Sequence, residues 1–177
     1  MKDQGLRPLA RAFAALAMLA LAAAPALAAD GDVKRAQRVA IVDHGIYEHS
    51  VERFEAEPRH VSGERVIVSS VRLMRQVDEV DAQPGRMFGF QFRVADPALI
   101  GQTVTLRRIV PPLTNPKTGR SATTIEGDLI AGPGTTFLNA YGFDYDWERA
   151  EGEWTFQVLH EGKVLAEKKF KVILPMN

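Results

Sequence analysis

Met87-Phe88-Gly89-Phe90-Gln91-Phe92-Arg93-Val94 is the stretch on which the fold turns. Phe88, Phe90, Phe92 and Val94 share one parity, and Met87, Gly89, Gln91 and Arg93 share the other. Side chains of an extended strand alternate between faces, so this octapeptide predicts one apolar face against a core and one mixed face. A helix, turning about 100° per residue, would throw the three phenylalanines onto opposite sides.

The same period recurs on either side. Arg38 to Ile46 (RVAIVDHGI) is β-branched and apolar until Asp43. Arg65 to Met74 (RVIVSSVRLM) places Val66 and Val68 on one parity and Val71 and Leu73 on the other, with Ser69-Ser70 at the break. One extra residue there, a β-bulge, would return all four to a single face. Thr103 to Val110 (TVTLRRIV) runs into Pro111-Pro112, where a sheet is expected to stop because proline cannot donate to a ladder. Ser121 to Ile130 is a weaker strand, and Thr135 to Phe143 follows the breaker Gly132-Pro133-Gly134. Ser50 to Ala56 (SVERFEA) reads as one helical turn or an edge strand. No apolar stripe of helical period persists over three turns beyond the leader.

At the C-terminus, Trp154, Phe156 and Val158 share a face, and Val164, Ala166, Phe170 and Val172 share the parity of a returning strand. A three-residue loop His160-Glu161-Gly162, with Gly162 in the left-handed position, keeps both sets on the same side. That register predicts Val158 opposite Val164, Phe156 opposite Ala166 and Trp154 opposite Lys168. Lys168 then falls on the apolar face, either over the Trp154 ring or as an inward charge that discourages edge association. The fold class expected from these patterns is all-β: an immunoglobulin-like β-sandwich of about seven or eight mostly antiparallel strands.

Composition narrows the function classes. The chain has 177 residues, with 22 Lys and Arg against 22 Asp and Glu, and 46% hydrophobic residues. Charge balance argues against a nucleic-acid binder, and the hydrophobic share against a disordered chain. No cysteine is present, which removes disulfide scaffolds, thiol enzymes and cysteine-ligated metal sites. Lys2, Arg7 and Arg11 precede the uncharged run Ala12 to Ala24, then Pro25 and Ala26-Leu27-Ala28. This is the three-part pattern of a signal peptide cut after Ala28, and the run is shorter than the roughly 20 residues of a membrane span. The expected organisation is a signal peptide over 1–28, a flexible lead-in over 29–37 and one β-sandwich domain over 38–177. The expected location is the periplasm or the medium, with no membrane span left after cleavage.

The ordered set DHGIY from Asp43, GRMFGFQFRV from Gly85, PPLTNPKTG from Pro111, YGFDYDWE from Tyr141 and GEWTFQVLHEGKVLAEKKFKV from Gly152 is similar to one small exported bacterial family, catalogued as domain of unknown function 3859. The resemblance extends roughly from Arg38 to Leu174. It implies the sandwich and export, and it transfers no catalytic residue.

Candidate sites are sparse. Asp43 and His44 point to opposite faces of a strand, and convergence of His44, His49, His60 and His160 is not written locally. The run Asp144-x-Asp146-x-Glu148 offers oxygen ligands for a cation but lacks the full calcium-loop pattern, and an acidic turn is the preferred reading. Serines at 50, 62, 69, 70 and 121 lack a G-x-S-x-G elbow, and no phosphate-cradling glycine loop is present. No catalytic residue, cofactor or metal site is therefore assigned. The segment Pro111 to Arg120 reads as a long loop. Lys117 and Arg120, beside Asp144 and Asp146, form the candidate polar binding cleft, with Arg120 expected to pair with Asp144 or Asp146. The expected role is a non-catalytic binding or interaction module whose partner is an envelope protein or polysaccharide. The alternatives are a hydrolase-like or carbohydrate-active enzyme with a site assembled from distant loops, and a carrier holding a small hydrophobic ligand beside Phe88, Phe90 and Phe92.

Overall fold

The structure, a computed structural model, describes residues 38–58 and 60–175. The expected signal peptide and lead-in lie outside the described residues. The strands are β1 (Val39–Ala56), β2 (Glu64–Arg75), β3 (Glu79–Asp81), β4 (Met87–Val94), β5 (Thr103–Thr114), β6 (Ser121–Ile130), β7 (Thr136–Gly142), β8 (Gly152–His160) and β9 (Lys163–Ile173). They form two sheets, β2-β1-β4-β7 and β3-β9-β8-β5-β6. Pairing is antiparallel except between β3 and β9. The protein is an all-β, immunoglobulin-like sandwich. The strand beyond the expected seven or eight is β3, whose three residues are too few to show a period. Among the described residues no helix is long and apolar enough to cross a membrane.

The octapeptide of β4 behaves as its parity dictates. Phe88, Phe90 and Phe92 are fully buried between the sheets. Phe88 meets Phe143, Trp154, Phe156 and Phe170 with centroids 5.2–5.4 Å apart. Offset and edge-to-face rings fill the space beside β4, where a hydrophobic cargo was an alternative.

Three expectations from local patterns are corrected. First, of the two readings of Ser50–Ala56 the helical turn is overturned: the segment is strand, the distal half of β1, and forms an edge paired with β2 alone. Val51 pairs with Val68 and Phe54 with Val66, and the jump from the pair Ser50–Ser70 to Val51–Val68 leaves Ser69 as the extra residue of the expected bulge. Second, β5 does not stop at Pro111-Pro112 but runs to Thr114. Both prolines lie in the register shift between Ile109 and Leu113, and β8 pairs only with Thr105 to Ile109. No ladder bond is required there, so proline is tolerated. The long loop expected from Pro111 shrinks to a tight turn. Asn115 N donates to Arg120 O, Gly119 N donates to Asn115 O, and Lys117 N donates to Asn115 Oδ1, all at 2.8–2.9 Å.

Third, the β8–β9 hairpin turns on two residues, not three. Glu161 (φ 50°) and Gly162 (φ 75°) both have positive φ, as a type I′ turn requires. His160 pairs with Lys163, and a bulge at Leu165 resets the register, so Val158 faces Ala166, Phe156 faces Lys168 and Trp154 faces Phe170. Lys168 keeps its place on the inner face, but its neighbour is Phe170, with the ammonium 5.9 Å from the ring centroid, not Trp154. Its charge is met by Asp78 at 2.7 Å, which also accepts from His44 Nε2 at 3.0 Å.

Candidate functional site

β1 leaves β4 after the pair Tyr47–Met87. Beyond it, the distal parts of β1 and β2 continue as a two-stranded arm. Register shifts at Ile46/Tyr47, Ser50/Val51 and Val51/Arg53 add twist. The turn at the arm's end reaches the β5–β6 turn of the second sheet, where Asn115 Nδ2 donates to the carbonyl of the buried Val61 at 3.2 Å, and it meets β7 of its own sheet, where the His60 ring stacks on Tyr141 at 6.1 Å. Between the arm, β7 and the β5–β6 pair lies an open groove of about 450 Å³. Its apolar wall comes from Val66, Met87, Leu106, Ile125 and Leu138.

Polar groups gather at one side. The short 3-10 turn Asp146–Glu148 swings Glu148 inward until it is 2% exposed. Its carboxylate accepts from Tyr141 OH and from the backbone N–H groups of Asp144 and Tyr145, each at 2.9 Å. Burial raises its pKa despite those bonds. Asp144 also lines the groove, and burial raises its pKa while His49 opposes the shift.

Arg108 is the unexpected member. It sits on β5 opposite Phe156, at the inward parity of Val104, Leu106 and Val110. Its Nε is buried with no acceptor, and no ion pair or hydrogen bond reaches its guanidinium among the described residues. Burial pushes its pKa down to about 10, with only the Tyr141 phenol opposing. It remains a cation at neutral pH. The alternation of TVTLRRIV would have revealed it, since it places a charge where a core residue belongs.

His60 lines the same groove with Nδ1 2.5 Å from Ser62 Oγ. Burial first, then the charge of Arg108 and, more weakly, of Arg120, push its pKa down to about 4, against the pull of Glu57. An imidazole that weakly basic is a poor general base, and the Ser62 hydroxyl donates to Glu64 O at 2.9 Å. His60 therefore gives the fold a pH dependence of definite sign. Its neutral form is favoured in the folded state, so this stabilisation is complete above its ordinary value of about 6.5. It disappears as pH falls toward 4. Allowing for partial exposure, unfolding in denaturant at pH 7 and pH 4.5 should differ by about 2 kcal/mol more in the wild type than in His60→Gln. Identical differences in the two proteins would remove this role.

Of the expected cleft residues, Asp144 lines the groove, and Arg120 acts on His60 by its charge. Asp146 turns to Arg149 at 2.9 Å, and Lys117 is an exposed turn residue. The expected pair of Arg120 with Asp144 or Asp146 does not form among the described residues. The Asp144, Asp146 and Glu148 carboxylates diverge, because Glu148 serves the interior. No group of three His, Asp or Glu side chains among the described residues is arranged to hold a metal ion. His44 goes to Asp78 and Asp43 to the Tyr47 hydroxyl at 2.6 Å, on opposite faces as alternation requires.

Comparison with known proteins agrees with this architecture. An immunoglobulin-like protein from Pseudomonas aeruginosa, known from its crystal structure, is 29% identical to this chain. The match covers 78% of this chain and 99% of that one, with a TM-score of 0.53. No curated protein matches the chain. Residues 35–172, which include every strand of the sandwich but the last residue of β9, match the family model described as Domain of unknown function (DUF3859), and the chain belongs to that family.

Proposed function

We propose that this protein is a non-catalytic binding module of the cell envelope, exported by the leader at 1–28, and that the groove beneath the β1–β2 arm is its recognition site. One observation carries the reading. The groove is large and open, yet most of its polar side chains are tied into the fold. Glu148 holds Tyr141 and two backbone amides, His60 is held with Ser62, and Glu126 is paired with Arg107. Preformed grooves of a few hundred Å³ with an apolar wall and few polar anchors are what ligands use.

Gly127 offers a direct test. It lines the groove, and a Cβ added there would meet nothing within 4 Å. A photo-crosslinking residue at Gly127, exposed to envelope extract, should label a component that the same residue at the surface position Val164 does not. Gly127→Trp, which fills the groove, should retain the fold and abolish the competing activity of the unlabelled protein. Equal labelling at both positions would end the reading. A second reading, a hydrolase-like enzyme, draws on Asp144, whose carboxyl is raised by burial beside His49 in the same groove. Turnover of a glycoside or ester panel that Asp144→Asn abolishes would favour it over the binder.

A further inference from the structure

Arg108 is a groove residue whose charge meets no counter-ion among the described residues. The buried Nε finds no acceptor, and three of the groove's carboxylates are engaged elsewhere. Glu148 serves Tyr141, Glu126 takes Arg107, and Asp128 accepts from Thr105 Oγ1. A cation held in partly desolvated surroundings, with no counter-ion of its own, attracts an anion strongly, because water competes little for it. A guanidinium offers paired N–H donors that match a carboxylate.

The surroundings narrow the ligand further. Leu106 and Ile125, flanking Arg108 on β5 and β6, are apolar. Glu64, Glu126, Asp128 and Asp144 also line the groove. That acidic fringe repels a multiply charged anion and leaves room for one negative charge seated on the guanidinium. We infer that Arg108 receives the carboxylate of a singly charged ligand whose apolar body lies along the groove wall. This rests on the groove being the recognition site and names the chemistry that the site takes. A medium-chain fatty acid and the free C-terminus of an apolar peptide both present it.

Two matched pairs of probes test the inference by calorimetric titration: octanoate against octanol, and the N-acetyl-Leu-Leu acid against its amide. The wild type should bind the acid of at least one pair at least tenfold more tightly than its neutral partner, and the pair that does so identifies the source. Arg108→Met should lose that preference, and Gly127→Trp should block the acid. If that Met variant does not fold, the wild-type comparison and Gly127→Trp still decide. The inference is overturned if neither acid is preferred, if the preference survives in folded Arg108→Met, or if Gly127→Trp binds the acid as before. Selective crosslinking at Gly127 together with no acid preference would remove the carboxylate and leave the binding groove standing. Failure of both would remove the groove as well.

Discussion

Gly89→Ala is expected to cost about 4 kcal/mol of stability, combining backbone strain with an unavoidable clash. Gly89 has φ +156°, and a Cβ there would lie 2.2 Å from Asn139 O and 2.5 Å from Ala140 Cα, both backbone atoms of β7. Neither can move without breaking the β4–β7 ladder, in which Gly89 faces Ala140 and Phe90 faces Asn139. On its other side Gly89 pairs with Gly45 of β1, itself at φ +137°, with room for a Cβ closed by Arg75 O at 2.1 Å. The two glycines thus let all four strands of the first sheet approach where any side chain would hold them apart. Chemical denaturation of Gly89→Ala beside Gly127→Ala, whose added methyl meets nothing within 4 Å, provides the comparison. Equal midpoints for the two variants would refute the clash.

Phe88→Ala should be nearly as damaging, at about 4 kcal/mol. Four rings from three other segments surround Phe88: Phe143 after β7, Trp154 and Phe156 on β8, and Phe170 on β9. Removing the ring withdraws the contact that joins the two sheets at their centre, and the surrounding rings are too rigid to close the space. Natural domains of this kind have only about 5–15 kcal/mol in total, so the variant should melt well below the wild type. Phe137→Ala is the control. Phe137 is only partly buried, and its contact is to Phe92 at the end of β4, with centroids 5.5 Å apart. A loss from Phe88→Ala no greater than that from Phe137→Ala would show that the centre of the core lies elsewhere.

The parts of the fold legible in the sequence are those that depend on neighbours along one strand. The inward phenylalanines of β4, the bulge at Ser69 and the opposed faces of Asp43 and His44 all follow from alternation. The local pattern fails where a partner strand decides. Pro111-Pro112 reads as a stop until β8 is seen to end its pairing at Ile109. Lys168 reads as the neighbour of Trp154 until a two-residue turn and a bulge at Leu165 shift it opposite Phe156. Both outcomes depend on hydrogen-bond registers between strands, to which the local pattern is indifferent. The candidate site was less legible still. Asp144 is legible by its charge, but Arg108 is hidden inside a strand, and His60 and Tyr141 meet only because the end of the β1–β2 arm folds back over β7.

The sequence by itself determined the all-β class and, wherever no bulge intervenes, which side chains face inward, because the pleat imposes a two-residue period on a strand; Val164, expected inward, is exposed because the bulge at Leu165 breaks that period. Only the tertiary structure decided that the β1–β2 arm would enclose a groove with an unanswered guanidinium at its wall. Residues far apart in the chain build that groove, and no local period records where a long hairpin will bend.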